Sequence, residues 1–236
     1  MSLFKGPMRQ HIEGFKGLTN KKDVLEVQPG KEVCIPLVCG AVTNIDILVK
    51  EGDHVCIGTK IAQCNEGNVV PIYASVSGTV KGTKKLMHAS LRPQEHLVIE
   101  NDGKYEKIQS FEPVDYETAD RESLIDFMMN AGIIGLGGAG FPSYVKYKFA
   151  KDVKMLIINA VECEPFITAD YRTIQENVKE FRTGVLAMRK MAMAKEVSIA
   201  IKKTHQDLID FVNEAFKNDE GVKAVGVPDV YPMGWE

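Results

Sequence analysis

Between Val24 and Ile108 the chain alternates short runs of β-favouring residues with turn signals. Within the runs, apolar and polar residues alternate with a period of about two, as in strands that bury one face. The predicted strands are Glu32–Val38, Asn44–Val49, Lys60–Cys64, Val69–Ala74, Gly78–Val80 and His96–Glu100. Many short strands at this spacing predict a small β-sandwich or barrel.

The pattern changes after residues 111–119, a linker that contains Pro113. Apolar residues then recur with a period of about 3.6 from Leu124 to Ala131, and again over Ile174–Met188, which predicts one long helix there. A continuous apolar run predicts a strand buried on both faces at Val153–Ala160. A second buried strand is predicted at Val197–Ile201 and a third strand at Val222–Val227. The β-α-β-α-β order predicts a parallel, Rossmann-like sheet with its ligand site at the carboxyl ends of the strands.

These changes in pattern divide the chain into four parts. Residues 1–22 form an arm or tether, and residues 23–110 form the β domain. Residues 111–119 link it to a parallel α/β domain over residues 120–236. The predicted fold class is therefore α/β plus β.

The segment Gly135–Tyr147 is the strongest candidate for ligand binding. It contains Gly135, Gly137, Gly138 and Gly140, followed by Pro142 and Lys146. Glycines let a backbone approach a ligand closely, and a helix that opens at the proline directs N–H groups towards an anion. A glycine-rich turn also joins elements that merely pack closely, so both interpretations stay open at this point.

Composition and charge exclude several function classes. The chain has 236 residues, 44% of them hydrophobic and 26% charged, with a net charge of −3. It has no basic stripe for nucleic acid, no apolar run of membrane-spanning length and no signal peptide, so we expect a soluble, cytoplasmic protein. The five cysteines form no C-x-x-C pair, which predicts reduced thiols and no metal or cluster ligands.

A second loop, Asn159–Phe166, follows the first predicted strand of the parallel sheet. Its amide and carboxylates could hydrogen-bond to a heterocycle or to ribose hydroxyls. Asp170 could instead cap a helix, and Arg172 could instead form a salt bridge. Cys163 stands between two carboxylates, which favours packing over nucleophilic chemistry. No side chain is predicted to be catalytic.

The two loops together carry a family resemblance. The segments Gly135–Tyr147 and Ile158–Asp170 resemble the flavin-binding domain of RnfC, a subunit of the Rnf electron-transport complex. RnfC is related to the FMN-carrying, NADH-binding 51-kDa subunit of complex I. Residues 49–61 and 72–80 resemble the barrel-sandwich hybrid module of RnfC, which is of the biotinyl/lipoyl type. The hairpin tip at residues 64–69 has no lysine, which argues against a carrier function.

The resemblance implies non-covalent FMN, with NAD(H) stacked on the ring for hydride transfer. It implies that Asn159 and Glu162 contact the isoalloxazine edge and that Glu164 contacts the nicotinamide ribose or ring. It also implies that Phe141 helps to form the dinucleotide site. Val161 departs from the complex I subunit, which has an acidic residue there. The resemblance also implies that the FMN phosphate is bound by a glycine-rich backbone and a nearby lysine, namely Gly135, Gly137, Gly138, Gly140 and Lys146.

The resemblance also implies partners. RnfC-like proteins continue into a part with two [4Fe–4S] clusters, so we expect this chain to be a fragment that serves other electron-transfer subunits on the cytoplasmic face of the membrane. A narrower hypothesis is an RnfC-like selenoprotein that feeds proline reductase in anaerobes, with a selenocysteine codon after Glu236. The rival hypothesis is a non-catalytic docking or scaffold module of an electron-transfer complex.

Overall fold

The computed structural model describes residues 11–40, 42–135, 140–231 and 233. The chain forms two compact units. The β unit comprises Glu26–Phe149, and the α/β unit comprises Met1–Leu25 together with Ala150–Glu236. None of the helices in the described ranges has the length and apolar character needed to cross a membrane.

The β unit contains two antiparallel sheets. The first has the order β1-β7-β6-β3, built from β1 (Glu32–Pro36), β3 (His54–Val55), β6 (Gly78–Met87) and β7 (Pro93–Asn101). The second has the order β2-β4-β5, built from β2 (Asp46–Ile47), β4 (Lys60–Cys64) and β5 (Val70–Tyr73). The core consists of apolar side chains at most 4% exposed, namely Leu37, Val55, Ile61, Ala62, Ala74, Val76, Val80, Leu97 and Ile99. The β-rich prediction for this region is confirmed.

Several strands differ from the sequence prediction: β2 is shorter than the predicted Asn44–Val49, β7 is longer than the predicted His96–Glu100, and β6 and β3 also differ. β6 continues past Val80 to Met87, because a bulge between Val80 and Thr83 carries the strand through a polar, lysine-rich stretch. β3 is only two residues long, so it produces no alternating pattern in the sequence.

Two helices belong to the β unit. α1 (Arg121–Asn130) begins after Asp120, whose carboxylate accepts a hydrogen bond from the Ser123 N–H at 2.8 Å. α2 (Ser143–Lys148) follows the glycine-rich segment. α1 packs near β5, where the Tyr73 hydroxyl donates to the Asn130 carbonyl. The first helices after the linker therefore pack with the preceding strands, whereas the sequence boundary near residue 120 groups them with the α/β domain.

The α/β unit has one parallel sheet of order β10-β9-β8. Its strands are β8 (Met155–Ala160), β9 (Glu196–Lys202) and β10 (Val222–Val227), and its helices are α3 (Ala169–Glu176), α4 (Val178–Ala192) and α5 (Gln206–Ala215). The alternation of strands and helices and the parallel pairing confirm the predicted fold class. The core joins strand residues Val197, Ile199 and Ile201 to helix residues Val185, Leu208, Val212 and Phe216.

Two predictions for this unit are wrong. The expected single helix over residues 174–188 is two helices, because Asn177 leaves the helical region at φ −126° and ψ 44°. The apolar run of β8 predicts burial on both faces, but Ile157 is 64% exposed and Met155 is 42% exposed. The Leu156 and Ile158 face of β8 packs against the core, whereas the Met155 and Ile157 face does not. The central strand β9 has the predicted burial on both faces.

Candidate functional site

The carboxyl end of β8 presents an amide to solvent. Asn159 is exposed, and its side-chain oxygen accepts a hydrogen bond from the Val161 N–H at 3.2 Å. That contact fixes the amide at the point where the chain leaves the sheet. Exposed Glu164 follows in the same loop. The predicted polar groups therefore lie at the predicted edge of the parallel sheet.

Glu162 has a structural task at this edge. Its backbone has φ +44°, a left-handed conformation that non-glycine residues seldom adopt. Its carboxylate accepts hydrogen bonds from the backbone N–H groups of Asp170 at 2.8 Å and Tyr171 at 3.3 Å. These donors lie in the first turn of α3, so Glu162 caps that helix. The negative charge of its carboxylate also interacts favourably with the positive end of the helix dipole. Burial raises the pKa of the Glu162 carboxyl, although these N–H groups and nearby Lys16 oppose part of the rise.

The N-terminal arm holds the same loop. The ammonium of Lys16 donates to the carbonyls of Glu164, at 3.1 Å, and Ile167. The ring of Phe15 stacks on Phe166 with a centroid distance of 5.3 Å, and the Phe166 N–H donates to the Gly14 carbonyl at 2.7 Å. Residues 14–19 thus fasten the loop, whereas their sequence pattern predicts no task beyond tethering.

Lys16 is a buried cation at this edge, with its residue 8% exposed. Burial lowers the pKa of its ammonium, and the nearby carboxylates Glu162 and Glu164 oppose that fall. Sequence reasoning missed Lys16 because nothing in its local pattern separates it from a surface lysine. A cation held against backbone carbonyls supplies positive charge to the loop that carries the predicted ring-edge residues.

A second buried ammonium, paired with a partly exposed carboxylate, lies at the ends of the neighbouring strands. Lys202 ends β9, and its ammonium contacts the carboxylate of Asp229, just after β10, at 2.7 Å. The side chains are 5% and 24% exposed. The carboxyl edge of the sheet therefore combines an amide, carboxylates and two ammonium groups, a donor and acceptor set suited to a polar heterocycle.

Contacts are also seen at three residues in and after this loop that the sequence left with two interpretations. α3 begins at Ala169, so Asp170 lies in its first turn and donates its N–H to Glu162. Arg172 forms a salt bridge with Glu176 one turn later, in agreement with the structural interpretation. Cys163 is buried in a small cluster with Val161 and Ala200, which favours packing.

The described part of the glycine-rich segment closes as a loop with a paired base. The Gly135 N–H donates to the Phe141 carbonyl at 3.0 Å, and the Gly140 N–H donates to the Gly135 carbonyl at 3.2 Å. Ile134 and Pro142 form an antiparallel bridge. The predicted phosphate-binding residues Gly137 and Gly138 lie outside the described residues. The ends of the loop are thus fixed by backbone hydrogen bonds.

Gly140 could not be replaced without movement of the backbone. It has φ +68°, and a Cβ built on it would lie 2.8 Å from both the Cα and the N of Gly40. Two chain segments of the β unit therefore touch backbone to backbone at this point. Close packing, the alternative interpretation of the segment, applies to Gly140.

The residues after the loop present charge and an aromatic ring to solvent. Phe141 is 45% exposed, and Lys146 is exposed on α2. The Ser143 N–H, at the start of α2, donates to the Ile133 carbonyl at 2.9 Å, so this donor of the first turn is already used. The Tyr144 hydroxyl accepts from the Val69 N–H at 3.2 Å, which anchors α2 to the β unit.

The predicted site residues therefore form two groups. Asn159, Glu162 and Glu164 lie together on one segment of the α/β unit. Gly135, Gly140, Phe141 and Lys146 lie at or beside the glycine loop of the β unit. The two groups thus belong to different units of the chain.

Two family models match successive parts of the sequence. Residues 4–104 match the RnfC barrel sandwich hybrid domain, and residues 128–236 match the Nuo51 FMN-binding domain. The family match for the second domain begins within α1, although α1 and α2 pack in the β unit. The exact domain boundary stays a prediction.

Three relatives illustrate the similarity, and each is the C subunit of a redox complex. That of the ion-translocating oxidoreductase complex of Haemophilus influenzae is 32% identical over 98% of this chain and 36% of its own length. That of the Na(+)-translocating ferredoxin:NAD(+) oxidoreductase complex of Acetobacterium woodii is 34% identical over 80% of this chain and 43% of its own length. That of the proton-translocating ferredoxin:NAD(+) oxidoreductase complex of Clostridium ljungdahlii is 33% identical over 100% of this chain and 52% of its own length.

The chain thus spans about a third to a half of the length of these relatives. Both domain matches occur in the order that the sequence motifs predicted, and the similarity to the Haemophilus influenzae protein runs through nearly the whole chain. On these findings the chain is RnfC-like, with a match to a barrel-sandwich hybrid domain followed by a match to a domain of the Nuo51 FMN-binding type.

Proposed function

We propose that this chain binds FMN and takes part in electron transfer between NAD(H) and iron–sulfur partners. The observation that carries the proposal is the match of residues 128–236 to an FMN-binding domain. Within this region, Asn159 and Glu164 are exposed at the carboxyl edge of the parallel sheet. The related proteins of Acetobacterium woodii and Clostridium ljungdahlii bear names that state a ferredoxin:NAD(+) oxidoreductase complex. Their names support the choice of redox partners.

The described residues fit a flavin by their chemistry. The exposed amide of Asn159 can exchange hydrogen bonds with the polar edge of isoalloxazine, and exposed Phe141 can contact a planar ring. We propose that the FMN phosphate lies against the glycine loop that contains Gly135, Gly137, Gly138 and Gly140, with the charge of Lys146 nearby. These assignments rest on the family resemblance and on the exposure of the described side chains.

Glu162 and Glu164 have different parts in this proposal. Glu162 is proposed to meet the ring edge, and its cap on α3 holds the loop in one conformation for that contact. Glu164 is exposed and is proposed to bind the nicotinamide ribose or ring. Lys16 holds the segment from Glu164 to Ile167 through its hydrogen bonds to the carbonyls of these two residues.

Bound FMN would supply the exchange between two-electron and one-electron chemistry. The protein would position the flavin ring and tune its electronic properties. The residues of this chain bind and orient the ring and set the charge around it. The partners proposed are the other electron-transfer subunits of an Rnf-type complex, reached by [4Fe–4S] clusters outside this sequence. The proposed location is the cytoplasmic face of a membrane, by association with those subunits.

A narrower proposal directs the electrons to proline reductase. It rests only on the resemblance to an RnfC-like selenoprotein, whereas the Acetobacterium woodii and Clostridium ljungdahlii relatives are named for ferredoxin and NAD(+). The coding DNA tests it directly, since it requires UGA after the codon for Glu236.

Titration of the chain with FMN, followed by quenching of flavin fluorescence, tests the main proposal. Asn159→Ala should weaken FMN binding by about tenfold, because one hydrogen bond to a bound heterocycle contributes roughly 1 to 1.5 kcal/mol. Asn218→Ala is the matched control, because Asn218 is an exposed asparagine between α5 and β10, at the other end of the sheet. It should leave the affinity unchanged.

Two outcomes would count against the proposal. Absence of saturable quenching by the folded chain would favour the rival function, a docking module without a cofactor. Equal loss of affinity in Asn159→Ala and Asn218→Ala would show that the effect does not come from the carboxyl edge of the sheet.

A further inference from the structure

Three side chains of metal-binding type converge on the β unit, among residues that the flavin proposal does not use. His54 lies on β3, Cys56 comes two residues later, and Glu106 comes five residues after β7. Residues two apart in an extended segment point to the same side, so the His-x-Cys spacing suits a shared ligand. The sequence did not reveal the set, because Glu106 is fifty positions away from Cys56.

The atoms of this cluster are close enough for one ion. The His54 Nε2 lies 3.6 Å from the Glu106 Oε2, and the Cys56 Sγ lies 4.0 Å from the same oxygen. One ligand atom from each residue lies within 4.8 Å of the others. A tetrahedral zinc ion with bonds of about 2.0 to 2.3 Å places its ligand atoms roughly 3.3 to 3.8 Å apart. Small side-chain rotations therefore complete the geometry.

The backbone around the cluster is fixed by hydrogen bonds. The Ile57 N–H donates to the Glu106 carbonyl at 2.8 Å, which joins the Cys56 and Glu106 segments directly. The Glu106 N–H donates to the hydroxyl of Ser77 at 3.1 Å, and fully buried Ser77 donates to Asp102 at 2.7 Å. A site on paired strands and anchored loops holds its ligands without a large ordering cost.

Strand pairing and a hydrogen bond also fix the backbone at His54 and Cys56. His54 pairs with Thr79 on β6, and the Cys56 N–H donates to the Thr59 hydroxyl at 2.9 Å. His54 and Glu106 are exposed, and Cys56 is half-buried, so an ion from solvent can reach all three. The backbone positions of all three ligands are therefore set before any ion binds.

We propose that His54, Cys56 and Glu106 form a binding site for a divalent transition-metal ion, with Zn²⁺ as the best fit. One imidazole, one thiolate and one carboxylate make a mixed set that suits zinc and disfavours Mg²⁺ and Ca²⁺, which prefer oxygen ligands. Three protein ligands leave a fourth position for water or for a group from a partner. The Cys56 thiol gives up its proton to solvent when the metal–sulfur bond forms.

Cobalt(II) titration of the reduced, chelator-treated chain tests this site. We expect one equivalent of Co²⁺ to give the near-ultraviolet charge-transfer band of a cobalt–thiolate bond, and added Zn²⁺ to abolish it. Cys56→Ser should remove the band, whereas Cys34→Ser should keep it, because Cys34 is a free, half-buried thiol of the same unit that lies outside the cluster. His54→Ala and Glu106→Gln should each weaken binding at least about tenfold.

The conservative Glu106→Gln change concerns an exposed side chain, so it reports on the ion even if Cys56→Ser perturbs folding. Circular dichroism checks the fold of every variant. The proposal fails if the folded chain gives no thiolate band with Co²⁺, or if the band persists in Cys56→Ser. It also fails if Glu106→Gln and His54→Ala bind the ion as tightly as the unaltered chain.

Discussion

Gly140→Ala should destabilise the protein by about 2 to 4 kcal/mol. Alanine at φ +68° costs roughly 1 kcal/mol or more, because its Cβ crowds the backbone in the left-handed region. The added Cβ would also lie 2.8 Å from the backbone of Gly40, and relief of such overpacking costs a further ~1 to 3 kcal/mol. Urea unfolding followed by circular dichroism measures the change.

Gly103→Ala is the matched control for this effect. Gly103 has φ +70°, and a Cβ built on it meets no atom within 4 Å. Gly103→Ala has the conformational cost of a left-handed alanine but no close contact of the added Cβ, so it should destabilise the protein by only ~1 kcal/mol. Equal losses in the two variants would mean that the contact between Gly140 and Gly40 does not hold the base of the glycine loop.

Asp229→Ala should cost about 3 kcal/mol of folding stability. It removes the carboxylate that lies 2.7 Å from the ammonium of Lys202, whose side chain is 5% exposed. An ammonium left unpaired in the protein interior is far less stable than one in water. Thermal unfolding of the variant should shift to lower temperature. The same change at an exposed pair, Glu214→Ala beside Lys217, should alter stability by less than about 1 kcal/mol.

The double variant Lys202→Met/Asp229→Leu separates charge from packing. Apolar replacement of a buried pair is often close to neutral, because both desolvation costs disappear together. The double variant should therefore be more stable than Asp229→Ala. If it is less stable, the carboxyl edge of the sheet depends on the ion pair itself and not on the avoidance of an unpaired charge.

The sequence predicted the elements whose burial is uniform. Central strand β9 is buried along its whole length, and its apolar run identifies it without further information. The apolar run of β8 has the same appearance, yet Ile157 is exposed, because only the face that carries Leu156 and Ile158 packs against the core. Which faces of a strand are covered depends on the tertiary structure, so the hydrophobicity along the strand alone does not predict it.

The sequence predicted which segments carry the candidate site but not the contacts that hold those segments. Asn159 and Glu164 were found from their position after a predicted strand, and both are exposed at that edge. The contact of Lys16 with the Glu164 and Ile167 carbonyls joins residues about 150 positions apart, so no local pattern signals it. The helix cap by Glu162 depends on a left-handed backbone at a residue that seldom adopts it.

We propose that the loop after β8 binds FMN. Hydrogen exchange of the chain with and without FMN, read by mass spectrometry, tests this most directly. We expect FMN to slow exchange in peptides that cover residues 159–168, with no change in β6 and β7. Saturable FMN binding that leaves residues 159–168 unprotected would contradict the account.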